Sequence, residues 1–581
     1  MFCLGHPSST SAPTFNFTRL AANQVPVDYS VSFTSPPHLR SSTTPPPASC
    51  TINSFPVKST RPASLVSMVK GKWPSEPKRA LVATRAATSM QKERVVAEEE
   101  DGPGLGIVEF LKYRNMLITG STGFLGKLIV EKILRSQPDV GKIFLLIQGP
   151  NQEAVNERLK NEIINSDLFK RLKGIYGGSY EAFVLSKLVP IVGHLEEDSL
   201  GIDEKLEKDI AEQVDVIVSC GASTRFDERY DVSMNTNTKG ASELVKLART
   251  CRKLQVFLHV STAYVNGTRT GLIKEIPFVL GDSLAREEAM ATRSEEIPPI
   301  LDIGAEVDII NDTLKGLEEN KATSRMKELG LKRASIHGWQ NVYSFTKAMG
   351  EMVIGTMSKD IPTVIVRPTA IGSTLLDPFP GWIQGLRMAD PMVVYYGKGQ
   401  LNMFTAEGKS TLDMVPADMI VNAILAAMVR HGSSGVAGLT IYHIGTSSTN
   451  PLRWDEFFNY CYEHYLSFPL IDSQGKAAHM ERMKLFDSLA AVTSYLSAGA
   501  NNACSTAVKG IHLLRKLSVV YEPYTNYKGW FDITNAKKLM KKMSIEERRD
   551  FMLNVAAIEW KDYIVNVHIH GLRKHVIKRS S

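Results

Sequence analysis

From Asn115 to about residue 370, short apolar runs alternate with stretches of helical periodicity. The runs are Met116-Leu-Ile-Thr119, Ile143-Phe-Leu-Leu-Ile147, Leu188-Val-Pro-Ile-Val192, Val214-Asp-Val-Ile-Val218, Val256-Phe-Leu-His-Val260 and Thr363-Val-Ile-Val366. Such short, continuous runs suit strands buried on both faces. Residues 125–135 and about 232–251 read as helices between them. The alternation predicts an α/β fold with a doubly wound parallel sheet. Glu287 to Arg333 is charged, helical in pattern and long for one crossover, so it reads as an insertion near the mouth of a site. After Pro368, Pro378-Phe-Pro-Gly-Trp382 and Tyr395-Tyr-Gly-Lys-Gly399 suit substrate-side loops. A mainly helical block follows from about Arg453, with a small-residue link at Ser497 to Ser505.

Residues 1 to about 95 break the pattern. They are rich in Ser, Thr and Pro, and up to Ser75 they hold one acidic residue, Asp28, against six Lys or Arg. No apolar core of a secretory signal is present. The composition predicts a disordered leader of the organelle-transit type, with chloroplast favoured over mitochondrion by the Ser/Thr/Pro excess. A plain disordered tail is the other reading. Glu98 to Asp101 and the glycines Gly102, Gly104 and Gly106 mark the linker. The expected organisation is a leader at 1–95, a folded unit at 104–450 and a C-terminal helical domain at 453–581.

Met116 to Thr119 runs into Gly120, Gly123 and Gly126, and then into a helical pattern. A strand, a T-G-x-x-G-x-x-G turn and a helix in that order predict a dinucleotide site. Gly120 permits the turn, Gly123 lets a pyrophosphate approach the backbone, and Gly126 lets helix and strand pack closely. The expected cofactor residues are Thr119, Gly120, Ser121, Thr122, Gly123, Phe124, Leu125 and Gly126. The second run ends at Gln148, where an NAD site would carry Asp or Glu for the ribose 2′-OH. With that acid missing and Arg158 ten residues on, the reading is NADPH. Arg158 as a solvated helix charge is the alternative.

Tyr343-Ser-Phe-Thr-Lys347 puts a phenol and an amine on one helical face. An ammonium beside a phenol lowers its pKa, and the phenol can then hand a proton to a carbonyl oxygen during hydride transfer. Lys347 can also bind the nicotinamide ribose. A hydroxyl at the end of the fifth run completes such a centre. Thr262 is the first choice and Ser261 the second, and a hydroxyl that merely caps the next segment is the alternative. Small residues at Ser219-Cys-Gly-Ala-Ser223 leave room along a cofactor, with Cys220 read as packing. His259 reads as a satisfied core histidine, His194 as an adenine contact or a loop residue, and Asp418 as a loop or helix-cap residue.

Composition narrows the picture further. Over 581 residues, 43% hydrophobic and 22% charged content is that of a soluble globular chain. The net charge of +7 lies partly in the leader and the C-terminal tail, with no basic stripe interleaved with aromatics, so nucleic acid is not expected. Six scattered cysteines without a C-x-x-C give no metal site and no disulfide framework. No run approaches the ~18 apolar residues of a transmembrane span. The nearest, Met419 to Val429, reads as a buried helix.

Taken with Phe257-Leu-His-Val-Ser-Thr-Ala-Tyr-Val-Asn-Gly267, Val366-Arg-Pro368, Asp413-Met-Val-Pro-Ala-Asp418, Tyr521-Glu-Pro-Tyr524 and Tyr563-Ile-Val-Asn-Val-His568, these motifs resemble the extended short-chain dehydrogenase/reductases. More narrowly they resemble the fatty acyl-CoA reductases of the plastid-directed male-sterility type, over about 104–578. That resemblance implies an extended Rossmann fold and NADPH-dependent reduction of a long-chain fatty acyl thioester, on coenzyme A or acyl carrier protein, to a primary alcohol through an aldehyde. It implies Tyr343, Lys347, Thr262 and Ser261 as the catalytic group. The family usually has Arg or Lys at Gln148 and Asp at His194. A different extended dehydrogenase or epimerase, a reductase stopping at the aldehyde, and a cofactor-binding scaffold are the competing expectations. Acyl chain length, carrier and oligomeric state leave no readable pattern.

Overall fold

The computed structural model describes residues 104–472, 474–498 and 505–577. The leader expected at 1–95, the linker at Glu98 to Asp101 and most of the small-residue link at 497–505 lie outside the described residues. The centre is a seven-stranded parallel sheet: β1 (Met116–Thr119), β2 (Ile143–Ile147), β3 (Leu188–Val192), β4 (Val216–Ser219), β5 (Val256–Val260), β6 (Pro362–Pro368) and β7 (Gly438–Ile444). Their order is β7-β6-β5-β4-β1-β2-β3, and every neighbouring pair is parallel. The order reverses between β1 and β4, so a crevice opens at the C-terminal ends of those two strands.

Six of the strands coincide with the apolar runs, β1, β2, β3 and β5 residue for residue. The seventh, β7, was hidden in the sequence. Its residues Gly-Leu-Thr-Ile-Tyr-His-Ile mix polar and apolar types, and its first three are only partly buried because the strand forms one edge. Pro190 sits in β3, the other edge, where a missing N–H costs no ladder bond.

Strand residues alternate between two cores. Ile118, Leu145, Val218 and Leu258 pack with helix α1 (Phe124–Ser136) and helix α4 (Ala417–Gly432). Leu117, Phe144, Ile217 and Phe257 pack with helix α2 (Gly240–Thr250) on the opposite face, which also receives Ile354 of helix α3 (Val342–Met357). Burial on both faces is why these runs read as apolar throughout. The run at Met419 to Val429 is the buried body of α4. Among the described residues no helix is long and apolar enough to cross a membrane.

The insertion at 287–333 is three helices, Leu284–Thr292, Ile303–Leu314 and Glu319–Ile336, over a third core around Trp339, Phe345 and Tyr230. C-terminal elements join the same structure. Gly529–Phe531 pairs in parallel with Gly271–Ile273, and Lys484–Phe486 pairs with Met403–Thr405. Tyr563 and Val567 enter the core that holds α1.

Candidate active site

The turn from β1 to α1 is built for close approach. Gly120 has φ +68°, and a Cβ there would lie 2.7 Å from the backbone of Gly221. A Cβ on Gly126 would lie 2.1 Å from the Gly120 carbonyl oxygen. Thr119 Oγ1 accepts from the N–H groups of Cys220 (3.1 Å) and Gly221 (3.0 Å), so it clamps the ends of β1 and β4 together. Gly123 caps α1 without a side chain, which leaves the first amides of the helix available to an anion. The hydroxyl of Ser121 is buried with no hydrogen-bond partner. The bare helix start, the side-chain-free cradle and this orphaned donor fit a dinucleotide pyrophosphate. Leu125 is buried, and Phe124 stacks on Trp382 at 5.3 Å with the Arg387 guanidinium 4.6 Å from its ring.

At the end of β2, Arg158 Nη1 donates to the Gln148 carbonyl (2.7 Å) and Nη2 to Thr122 Oγ1 (3.3 Å), while Nε pairs with Glu162 at 2.6 Å. The structure thus brings Arg158 to the turn rather than leaving it on a solvated helix face. The side chain of Gln148 donates to Glu196 Oε1 at 3.2 Å. Glu196 was missed in the sequence because it follows β3 rather than β2. It also faces His194, whose other ring nitrogen meets the Gly149 carbonyl at 3.2 Å. The Glu196 hydrogen bond raises the His194 pKa.

The catalytic candidates converge from three elements. Asn341 caps α3, its Oδ1 accepting from Ser344 N–H at 2.9 Å, so Tyr343 lies in the first turn and Lys347 one turn on. Thr262 lies just past β5, accepts from Tyr264 N–H (3.3 Å) and is near enough to the Tyr343 phenol to lower its pKa. It therefore caps the next segment and meets the tyrosine as well. Ser261 Oγ is buried and unpartnered. Lys347 is 1% exposed. Its Nζ donates to the Val260 carbonyl (2.9 Å) and lies 2.7 Å from His259 Nε2.

The electrostatics depart from the sequence expectation. Withdrawal from water pushes the Tyr343 phenol up to about 12, opposed by the nearby Thr262 hydroxyl and more weakly by Arg387. Burial brings Lys347 down to about 8, with Glu351 opposing. The lysine does not lower the phenol's pKa here, because its amine is turned to His259 and Val260. Cys220 stands beside both groups, but burial holds its thiol up near 11, so it is packing rather than a nucleophile. Asp418 accepts from the N–H groups of Leu375, Leu376 and Asp377 at 2.7–2.9 Å and so orients that loop. Among the described residues no three His, Cys, Asp or Glu side chains gather to hold a metal ion.

A glycine turn at the switch point of a doubly wound sheet, with Tyr343, Lys347 and Thr262 across the crevice, defines a nicotinamide-dependent reductase of the extended Rossmann class. Two family models, both described as male sterility protein, match residues 118–424 and 483–579. Among proteins of similar sequence, fatty acyl-CoA reductase 2, chloroplastic, of Arabidopsis thaliana is 44% identical over 82% of this chain and 80% of that protein. The alcohol-forming fatty acyl-CoA reductase of Simmondsia chinensis is 37% identical over 81% of this chain and 99% of that one. The chain belongs to the male sterility protein family, that of the fatty acyl-CoA reductases. Its fold is also that of the terminal R domain from the myxalamid biosynthetic pathway, with TM-score 0.50, 17% identity and coverage of 80% of this chain and 91% of that one.

Proposed function

We propose that this chain is a plastid enzyme that reduces long-chain fatty acyl thioesters to primary alcohols with NADPH. The observation that carries the reading is the convergence of Thr262, Tyr343 and Lys347 at the C-terminal end of β5, with Lys347 Nζ on the Val260 carbonyl at 2.9 Å and Thr262 near enough to the Tyr343 phenol to lower its pKa. Thr119 to Gly126 hold the pyrophosphate, and Gln148 and Arg158 face the adenosine ribose. Arg158, bridging Thr122 and Gln148, supports a 2′-phosphate there.

When bound, the reduced nicotinamide supplies hydride to the carbonyl carbon. The Tyr343 phenol, protonated across the physiological range, gives its proton to the carbonyl oxygen. Thr262 and Ser261 hold that oxygen as charge develops. Lys347, held by Val260 and His259, would bind the nicotinamide ribose. The resulting thiohemiacetal returns its proton to Tyr343 as the C–S bond breaks, and the thiol carrier leaves with the bonding electrons. The aldehyde stays, and a second hydride and a second proton from Tyr343 give the alcohol. The 1–95 leader directs the chain to the plastid, where acyl carrier protein is the natural donor and coenzyme A the other.

The test is to incubate the pure chain with palmitoyl-CoA or palmitoyl-acyl carrier protein and NADPH, following free thiol, aldehyde and alcohol by mass spectrometry. Two NADPH consumed per thiol released, with alcohol as product, is expected. Aldehyde and one NADPH per thiol would limit the enzyme to the first reduction, and no product from either carrier would falsify the reading.

A further inference from the structure

The helix α5 (Ser505–Thr525) carries one buried stripe, Leu514, Leu517, Ser518, Tyr521 and Tyr524, while Val519 and Val520 face solvent. Spacings of three and four residues put the stripe on one face. Ser518 is tied to Thr405 by a 2.8 Å hydroxyl contact. The stripe ends at the reductase centre. The Tyr524 ring stacks on Phe226 at 5.5 Å and meets the edge of Tyr264 at 4.9 Å, and Phe226 lies 6.0 Å from the Tyr343 ring.

The hydroxyl of Tyr524 is bonded in an informative way. Asn341 Nδ2 donates to it at 2.9 Å, while Asn341 Oδ1 caps the helix that carries Tyr343. The phenol oxygen is therefore an acceptor in this contact, and no acceptor for its own proton is found among the described residues. Tyr524 is 8% exposed and lies close enough for a charge on Tyr343 to oppose its ionisation. A buried phenol, polarised by an amide and with its proton unspent, stands one ring, Phe226, away from Tyr343.

We propose that Tyr524 is a second phenolic donor of the reductase centre, its O–H binding the thioester carbonyl oxygen, so that the C-terminal helix forms part of the active site. The proposal rests on the reading of Tyr343 as the proton donor in thioester reduction. The chemistry gives the second donor work that the first cannot do. When the thiohemiacetal collapses, its O–H proton returns to Tyr343, the C–S bond breaks and the carbonyl re-forms. During that step Tyr343 is taking the proton and cannot also neutralise the oxygen. A donor that keeps its proton throughout can. Aldehyde reduction has no such collapse and depends on the second donor less.

The experiment uses the full chain with NADPH and either palmitoyl-CoA or palmitaldehyde, comparing wild type, Tyr343→Phe and Tyr524→Phe. Expected for Tyr524→Phe is a fall in kcat of about 100-fold on the thioester. A smaller fall is expected on the aldehyde, with the NADPH dissociation constant within about twofold of wild type. 3,5-Difluorotyrosine at position 524, a stronger hydrogen-bond donor, should change kcat on the thioester while thermal stability stays at the wild-type value, a split that a structural hydroxyl would not show. Wild-type kcat in Tyr524→Phe with Tyr343→Phe inactive overturns the inference and leaves the site reading standing. An unchanged kcat in the fluorinated protein, with activity and thermal stability lost together in Tyr524→Phe, reduces Tyr524 to a structural residue. Full activity in Tyr343→Phe removes the site reading and this inference with it.

Discussion

Lys347 Nζ lies 2.7 Å from His259 Nε2, and Ser219 Oγ lies 2.9 Å from the other ring nitrogen. All three are buried, and Ser219 and His259 are register partners across β4 and β5. Burial and the neighbouring amine hold His259 neutral, its pKa well below the usual value. With a charged lysine donating, Nε2 is the acceptor and the ring proton sits on Nδ1, directed at Ser219. Lys347, the lysine of the proposed centre, is thus fixed by the sheet through an imidazole.

Lys347 gives activity and stability opposite pH trends. Its pKa falls to about 8, so the ammonium is lost as pH rises through that value. The expected kcat/KM profile has an alkaline limb near 8, and a flat profile to well above it would contradict the role given to the charge. In the unfolded chain the lysine titrates near ~10.4 and binds more protons between the two values, so its contribution to stability rises with pH across that window. Urea unfolding of wild type against Lys347→Met, at the two ends of the window, should show wild type gaining on the variant.

His259→Phe removes the acceptor at Lys347 and the donor to Ser219. A buried ammonium without its partner reorients, and kcat is expected to fall about 10- to 100-fold. Stability should drop by about 1–3 kcal/mol from the unsatisfied groups. Steady-state kinetics with denaturant titration measure both, and unchanged kcat in a folded variant would show that Val260 alone suffices to hold the amine.

The sheet was legible in the sequence wherever burial on both faces made a strand uniformly apolar, as at Met116–Thr119 and Val256–Val260. It was not legible at Gly438–Ile444, where an edge position relaxes that demand. The glycine turn and Tyr343–Lys347 are local spacings and could be read directly. His259, Glu196 and Tyr524 could not be joined to them, because their partners lie 88, 48 and 183 residues away and only the topology brings them together. The phenol's pKa direction was misjudged for the same reason: helical spacing reveals neither the withdrawal of Tyr343 from water nor that His259 and Val260 occupy the amine.

Arg158 is expected to read the cofactor's second phosphate. It already spans Thr122 and the Gln148 carbonyl, so a 2′-phosphate would meet a guanidinium held in place. Arg158→Ala should raise the KM for NADPH about tenfold, the loss of one charge-assisted contact, and leave that for NADH nearly unchanged. Equal changes with both cofactors would assign Arg158 to the turn's structure instead, and an unchanged ratio with Glu196→Gln would show that this acid does not compete for the ribose.

Glu306 holds the inserted helices to the reductase fold. Burial alone would raise its carboxyl, but hydrogen bonds from His337, Arg333 and Tyr230 outweigh it and keep the pKa at about 2. Tyr230 donates at 2.9 Å and Arg333 Nε at 2.9 Å, with His337 Nε2 at 3.3 Å. A carboxylate depressed in this way contributes fully above its unfolded value near ~4.3, and the contribution is lost as pH falls towards the folded one. Glu306→Ala leaves the Arg333 charge without its partner and should cost about 3–5 kcal/mol. Glu306→Gln should flatten the stability loss that wild type shows between about pH 4.5 and 2, read by urea titration followed by circular dichroism. Parallel pH curves for wild type and Glu306→Gln would mean that the carboxylate is not what anchors Ile303–Leu314 and Glu319–Ile336 to Tyr230.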